Sequence, residues 1–484
     1  MKNIDSTQQA NLAPTLNRVP SDIRHIHLMG ICGVGMASLA GILKERGYSV
    51  TGSDQNIYPP MSHLLENLSI PLLEGYGPKN LHPVPDLVIV GNVITRLNLE
   101  AVELSRLHIP YLSLPQALRI FAMQGARSIV ISGTHGKTTT SSLIAWALEK
   151  GGMDPGFMIG GVPNNFQGNF KLGVGPYFVI EGDEYDTAFF DKGPKFLHYS
   201  PWITVLTSIE FDHADIYRDM EHLLESFKKL IQLIPPTGLL IANGDDPVII
   251  KESKRAKCPV ITYGLTGDVH WRATDILTRE DFTTMKILKN EQEYMTLSSP
   301  LYGNHNVANL LSTVILTDHL KVERSVLSLA MKSFGGIKRR QEIRGEKKGI
   351  LVLDDFAHHP TAVKETIIGV KEKYGNRRLV AVFEPRSNTS RRNIFQKRYA
   401  ASFDKADLIL IPEPPSMDTI PKANRFSSSS LVEDIKKRGL KAFYSPNTEH
   451  LLGAILRVVR HGDVVLIMSN GSFDHLHDRL LEAL

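Results

Sequence analysis

The sequence predicts an α/β protein of three consecutive domains, each built on a parallel sheet covered by helices on both faces. A short apolar strand runs into a glycine-rich or polar turn and then a helix-like segment three times, starting at Ile23, at Ser128 and near Gly349. The strands are continuous Val/Ile/Leu runs, as expected of strands buried on both faces. The length of 484 residues, at roughly 150 per domain, makes three domains the central expectation. These restarts divide the chain into a flexible tail over 1–22, a first domain over 23–125, a second over 126–335 and a third over 336–484.

In the first unit His25 to Met29 read as a strand, Gly30 to Gly35 as a turn and Met36 to Arg46 as a helix ended by Gly47. Tyr48 to Thr51 and Asp86 to Val90 follow as strands. The second unit opens on Ile129, Val130 and Ile131, then Gly133 to Lys137 and a helix from Thr138 to Lys150. Its further strands are Phe178 to Glu181, Ile203 to Ser208 and Gly238 to Ala242. The third has strands at Ile350 to Leu353, Leu379 to Phe383, Leu408 to Ile411 and Val464 to Met468. Ser427 to Ser430, the one low-complexity patch, reads as a loop before a helix starting at Leu431.

Hydrophobic residues at 42% and charged residues at 22% exclude a mainly disordered chain. A net charge of +4 is too small a surplus on this length to attract a phosphate backbone, so nucleic acid is not an expected partner. Two cysteines, Cys32 and Cys258, cannot form a disulfide framework and favour a reducing compartment. Met1 to Pro20 contains no apolar run, and no later segment offers the 18 or so apolar residues of a spanning helix. A soluble cytoplasmic protein without a membrane or obligate protein partner is therefore expected.

Gly133-Thr134-His135-Gly136-Lys137-Thr138-Thr139 lies between an apolar strand and a helix, the context that a nucleoside-triphosphate phosphate loop requires. Its glycines let backbone N–H groups turn toward phosphates and the helix N-terminus adds its positive end. Lys137 supplies a point charge, and the Thr138 hydroxyl can reach a magnesium ion. The longer form of this loop would place another glycine where the chain has Ile131, so an ordinary P-loop GTPase or motor ATPase is disfavoured. Two further strand ends carry acids: Glu181-Gly-Asp-Glu-Tyr-Asp186, and Glu210-Phe-Asp-His213. Glu181 and His213 are the candidate metal ligands beside Thr138.

The phosphate loop, the Asp212-His213 pair, Gly303-Asn-His-Asn-Val-Ala-Asn309 and Asp354-Asp-Phe-Ala-His-His-Pro360 together resemble the ordered motifs of the Mur ligases. These are ATP-dependent amide-forming enzymes of peptidoglycan synthesis. The resemblance runs from His25 to the end of the chain. His135 within the loop resembles the branch that acts on UDP-N-acetylmuramate. Glu181 to Lys192 and Glu384-Pro-Arg-Ser-Asn-Thr-Ser-Arg391 resemble the members that attach a recycled tripeptide, L-alanyl-γ-D-glutamyl-meso-diaminopimelate. The members that attach L-alanine are the rival within the branch.

The resemblance implies a Rossmann-like N-terminal domain for the UDP-sugar and a central P-loop ATPase-like domain for ATP and Mg2+. It also implies a Rossmann-like C-terminal domain for the amine and part of the nucleotide. Gly30, Gly33, Gly35 and Asp54 become UDP-sugar residues, although G-x-x-G-x-G is not the dinucleotide fingerprint. Asn306 and Asn309, three apart on one helix face, would address the adenine or ribose. Arg340 would meet the γ-phosphate when the domains close, with Asp355 and His358 helping to bind nucleotide. Arg386, with Ser387, Asn388 and Arg391, follows a strand of the third domain, where its guanidinium would clamp peptide carboxylates by paired hydrogen bonds.

Making an amide from a carboxylate at neutral pH requires a better leaving group than hydroxide, and an acyl phosphate supplies one. Lys137 and His213 are the candidate catalytic groups, with the base for the attacking amine left open between His213 and a carboxylate. A redox enzyme built on the first glycine turn would leave the phosphate loop unexplained. A nucleotide-switched binding module would use that loop, but polar motifs at the strand ends of three domains favour a closing active site.

Overall fold

The structure is a computed structural model that describes residues 9–57, 61–279 and 281–484. The first domain is a five-stranded parallel sheet in the order Leu72–Glu74, Ser49–Asp54, His25–Met29, Leu87–Val90, Tyr111–Ser113. Its strand Ser49–Asp54 runs three residues beyond the expected end, which carries Asp54 back under the glycine turn. The helix between His25–Met29 and this strand starts at Val34, two residues early, because Gly33 already serves as its N-cap.

The expected flexible tail is corrected over residues 9–22. Residues 1–8 lie outside the described residues, but Ala10 is buried and its N–H donates to Arg96 O at 2.8 Å. Asn17 Nδ2 donates to Tyr111 O at 3.0 Å, while Leu12 and Leu16 pack on the first domain's core. A polar composition concealed these two apolar anchors.

The central sheet has ten strands and departs from the all-parallel expectation. Arg127–Ser132 lies between Tyr177–Gly182 and Pro201–Leu206, with Leu239–Asn243 and Val260–Gly264 beyond, all parallel. Trp271–Arg279, Phe282–Lys289 and Gln292–Ser299 then extend it as an antiparallel meander. These strands alternate buried and exposed residues, since only one face is covered, so a search for unbroken apolar runs passes over them.

The third sheet runs Glu342–Lys347, Ile350–Asp355, Val464–Met468, Leu379–Phe383, Leu408–Pro412, Ala442–Ser445, with only the first strand antiparallel. The serine patch proves to be a helix start. Ser427 Oγ accepts the Ser430 N–H, and the helix Ser428–Lys437 includes the other three serines.

An apolar core continues from Ile26, Leu39 and Leu43 of the first domain through Phe121 to Phe178, Phe196 and Phe227 of the second. Each such fully buried side chain is worth about 1.5–3 kcal/mol, which makes this boundary a firm contact. Gly41 permits it: a Cβ there would stand 2.3 Å from Phe170 Cζ, so the helix Val34–Glu45 approaches the strand Phe170–Lys171 only without a side chain.

Candidate active site

The loop 133–136 leaves the strand Arg127–Ser132 and enters the helix Lys137–Lys150. Gly136 has φ +82°, and a Cβ there would fall 2.7 Å from Asn309 Oδ1, so both backbone and space require glycine. Lys137 Nζ turns back to donate to Gly133 O at 2.6 Å and to Glu184 Oε2 at 3.0 Å. Burial opposes its ammonium, yet Glu184 and then Asp183 prevail and raise its pKa. Burial likewise favours a neutral Glu184, but Lys137 and then His213 hold its carboxyl down at about 2.

Thr138 Oγ1 donates to Glu181 Oε2 at 3.1 Å, and the Gly160 N–H donates to Glu181 Oε1 at 2.6 Å. Burial first, then Asp183, pushes the Glu181 carboxyl up. A hydroxyl and a carboxylate in that state form a hard oxygen pair that a magnesium ion would suit and would relieve. His213, at φ +52° beyond the strand Pro201–Leu206, directs Nε2 to Glu184 Oε1 at 3.4 Å. Burial lowers its pKa, but Glu184 and Asp212 outweigh it and the pKa is raised.

Asn306 and Asn309 are both buried and face this loop, with amides engaged inside the protein. Asn309 Oδ1 accepts Thr140 Oγ1 at 3.1 Å, and its Nδ2 donates to Asn306 Oδ1 at 3.3 Å. Asn306 Nδ2 donates to Tyr302 O at 2.9 Å and to Gln341 Oε1 at 3.3 Å. The chain of amides ties the helix Asn304–His319 to the loop and to the third domain's entrance. Arg340 reaches across, its guanidinium 3.4 Å from Thr138 Oγ1 and 4.5 Å from the Phe356 ring centroid. Asp355 accepts the N–H groups of Gln341 and Ala357, each at 2.8 Å, and His358 Nε2 lies 3.9 Å from Asp212 Oδ2.

Glu210 bridges the second and third domains. Its Oε2 accepts Arg398 NH2 at 2.8 Å and Thr361 Oγ1 at 2.9 Å, and His135 Nε2 stands 3.5 Å from Oε1. His135, Glu210 and His359 come close enough together to suggest a metal site. The hydrogen bonds argue against one. His359 Nδ1 accepts the Thr361 N–H at 3.3 Å, so Nε2 carries the proton and donates to Phe211 O at 3.3 Å. The Arg398 cation already balances Glu210, and the cluster works as a contact between domains.

A cavity of about 910 Å³ joins these groups to Gly33 and Gly35 of the first domain and to Arg386, Ser387 and Asn388 of the third. Four expected residues stand back from it. Gly30, at φ +81°, makes the turn itself. Asp54 is a correction to its place among the UDP-sugar residues: its Oδ2 accepts the Cys32 N–H at 2.9 Å and its Oδ1 the Asn56 N–H at 3.0 Å, so it anchors the turn from behind. Gly133 contributes its carbonyl to Lys137. Arg391 is a correction to the peptide clamp. Its guanidinium donates to Ser416 O at 2.9 Å and Asn388 Oδ1 at 2.8 Å, which commits it to loop support.

Comparison with known proteins matches each part of this arrangement. Residues 25–125 match "Mur ligase family, catalytic domain", 131–317 "Mur ligase middle domain" and 339–471 "Mur ligase, glutamate ligase domain". An Escherichia coli K12 protein named UDP-N-acetylmuramate–L-alanyl-γ-D-glutamyl-meso-2,6-diaminoheptandioate ligase is 38% identical over 460 residues, 95% of this chain and 98% of that one. The chain belongs to the Mur ligase family. This Mur ligase is also similar to the crystal structure of a murein peptide ligase from Psychrobacter arcticus. The match has a TM-score of 0.71 and 35% identity, covering 95% of this chain and 98% of that one. A UDP-N-acetylmuramate–L-alanine ligase of Geotalea daltonii is 33% identical, covering 96% of this chain and 98% of that one.

Two residues of this Mur ligase's site escaped the sequence reading. Glu184 sat within the recognised acid run, but which of its acids faces Lys137 depends on the bend after the strand Tyr177–Gly182. Glu210 has no partner legible in its own motif, because Arg398 and Thr361 lie more than 150 residues away, at separations of 188 and 151.

Proposed function

We propose that this Mur ligase joins the tripeptide L-alanyl-γ-D-glutamyl-meso-diaminopimelate to UDP-N-acetylmuramate, converting ATP to ADP and phosphate in the recycling of cell-wall peptide. The observation that carries this reading is one cavity lined by the glycine turn, the phosphate loop and the Arg386 segment. Three substrates that must meet at one carboxyl group, the phosphoryl donor at its oxygen and the amine at its carbon, require such a junction. The names of the relatives favour the tripeptide over L-alanine, at 38% against 33% identity. Among the described residues no helix is long and apolar enough to cross a membrane.

A lactyl carboxylate oxygen attacks the γ-phosphorus, the bond to ADP breaks, and an acyl phosphate forms. The peptide α-amine then attacks the acyl carbon, phosphate leaves with the bonding pair, and the amine proton passes to a base. Lys137, Arg340 and the loop amides hold phosphate charge, and the Asn306–Asn309 chain keeps the loop in place. Thr138 and Glu181 would hold magnesium, with His213 on the same wall; that ion would add positive charge at the phosphates.

Glu181→Ala is accordingly expected to raise the magnesium concentration for half-maximal activity about tenfold or more. A magnesium titration superimposable on wild type would remove Glu181 from the metal's ligands. The functional reading itself is tested by phosphate release with UDP-N-acetylmuramate and either tripeptide or L-alanine. Release should require both sugar nucleotide and tripeptide, and Arg386→Ala should raise the peptide KM far more than the ATP KM. Preference for L-alanine would move the enzyme to the rival activity.

A further inference from the structure

The turn Ser469–Asn470–Gly471 follows the strand Val464–Met468 and is pinned from two sides. Arg339 NH2 donates to Ser469 O and to Gly471 O, each at 2.6 Å. Ser469 Oγ donates to Glu384 Oε2 at 2.5 Å and accepts the Gly471 N–H at 2.9 Å. The buried Glu384 takes Arg386 NH1 on its other oxygen at 3.3 Å. A Cβ on Gly471 would stand 2.1 Å from Arg386 Cδ and Nε, so the Arg386 side chain lies directly on that glycine.

Within this frame one polar side chain is unused. Asn470 lines the cavity, and its Oδ1 is buried without a hydrogen-bond partner. A buried amide oxygen in that condition carries a desolvation penalty that an incoming donor would remove. The Ser469 and Gly471 carbonyls are already taken by Arg339, while Oδ1 has no protein donor.

An acceptor oxygen beside a guanidinium matches the two halves of an α-amino-acid head group, ammonium and carboxylate. The distal end of diaminopimelate is such a group and stays free throughout the reaction. L-Alanine has no second one, because its only amine is consumed in the new bond. We propose that Asn470 is a specificity-determining residue that accepts a hydrogen bond from the distal ammonium of the diaminopimelyl residue, while Arg386 holds the adjacent carboxylate. This inference rests on the tripeptide reading above.

The test compares two peptides by phosphate release at saturating ATP and UDP-N-acetylmuramate. One is the tripeptide, and the other ends in 2-aminopimelate, which keeps both carboxylates and lacks the distal amine. In wild type, loss of that amine should raise the peptide KM about tenfold, the effect of one hydrogen bond to a charged group. Asn470→Ala should raise the KM for the diaminopimelyl peptide by a similar factor, leaving the 2-aminopimelyl peptide and the ATP KM within about twofold of wild type. Asn470→Asp, which keeps an acceptor, should restore the diaminopimelyl KM. Wild-type kinetics in Asn470→Ala, an equal loss on both peptides, or a matching rise in the ATP KM would each overturn the proposal. If the wild-type enzyme takes L-alanine and ignores the tripeptide, the functional reading has failed and the proposal falls with it, a result seen before any variant is made.

Discussion

Lys137→Ala should lower kcat for ligation about a thousandfold, the scale of removing a group that stabilises charge in a transition state. Its Nζ lies within the phosphate loop, bonded to Gly133 O at 2.6 Å, and among the loop's side chains it supplies the cation with Glu184 as counter-ion. Binding of UDP-N-acetylmuramate, measured by calorimetry without ATP, should be unchanged because the glycine turn proposed to hold it belongs to another domain. The sequence alone suggests that this variant folds normally. The structure adds a cost, since Glu184 is 2% exposed and would keep only His213 as a charged partner. A measurable fall in Tm is therefore expected with the loss of turnover. Wild-type phosphate release in this variant would sink the phosphate-loop assignment.

Glu184→Ala should have the larger effect on stability, about 3–5 kcal/mol, because it leaves the Lys137 ammonium buried without its partner. Chemical denaturation of the variant measures this directly. The double variant Lys137→Met, Glu184→Gln separates the two roles of the pair. It should recover most of the lost stability, having no buried charge left to strand, and remain without ligase activity. If Glu184→Ala unfolds at the wild-type denaturant midpoint, the ion pair is not holding the loop. If the double variant turns over, Lys137 is not holding phosphate.

The legible part of the site was the part carried by short local spacing. Gly133 to Thr139 places its chemistry within seven consecutive residues between a strand and a helix, and the structure keeps that order. Glu181 was legible for a similar reason, as an acid on the strand next to the loop strand, paired Ile131 to Glu181 in parallel register. Asp54 and Arg391 were misjudged because both have the right residue type at a strand end or nearby loop. Their orientations depend on backbone amides and carbonyls that no residue pattern records. The antiparallel meander of Trp271–Arg279, Phe282–Lys289 and Gln292–Ser299 was missed because half-buried strands mix Thr and Lys with apolar residues, which weakens the run of hydrophobicity that announces a central strand.

By itself the sequence determined three α/β units, their order and the phosphate loop, since strand burial and turn chemistry are written in neighbouring residues. It also placed the acids and arginines that border the cavity. The tertiary structure alone decided which charges meet. Glu184 on Lys137, Glu210 across to Arg398, and Asn470 left unpaired beside Arg386 are outcomes of packing between segments distant in the chain. Burial then sets their strength, because a charge removed from water must be answered by whichever group the fold brings within a few ångströms.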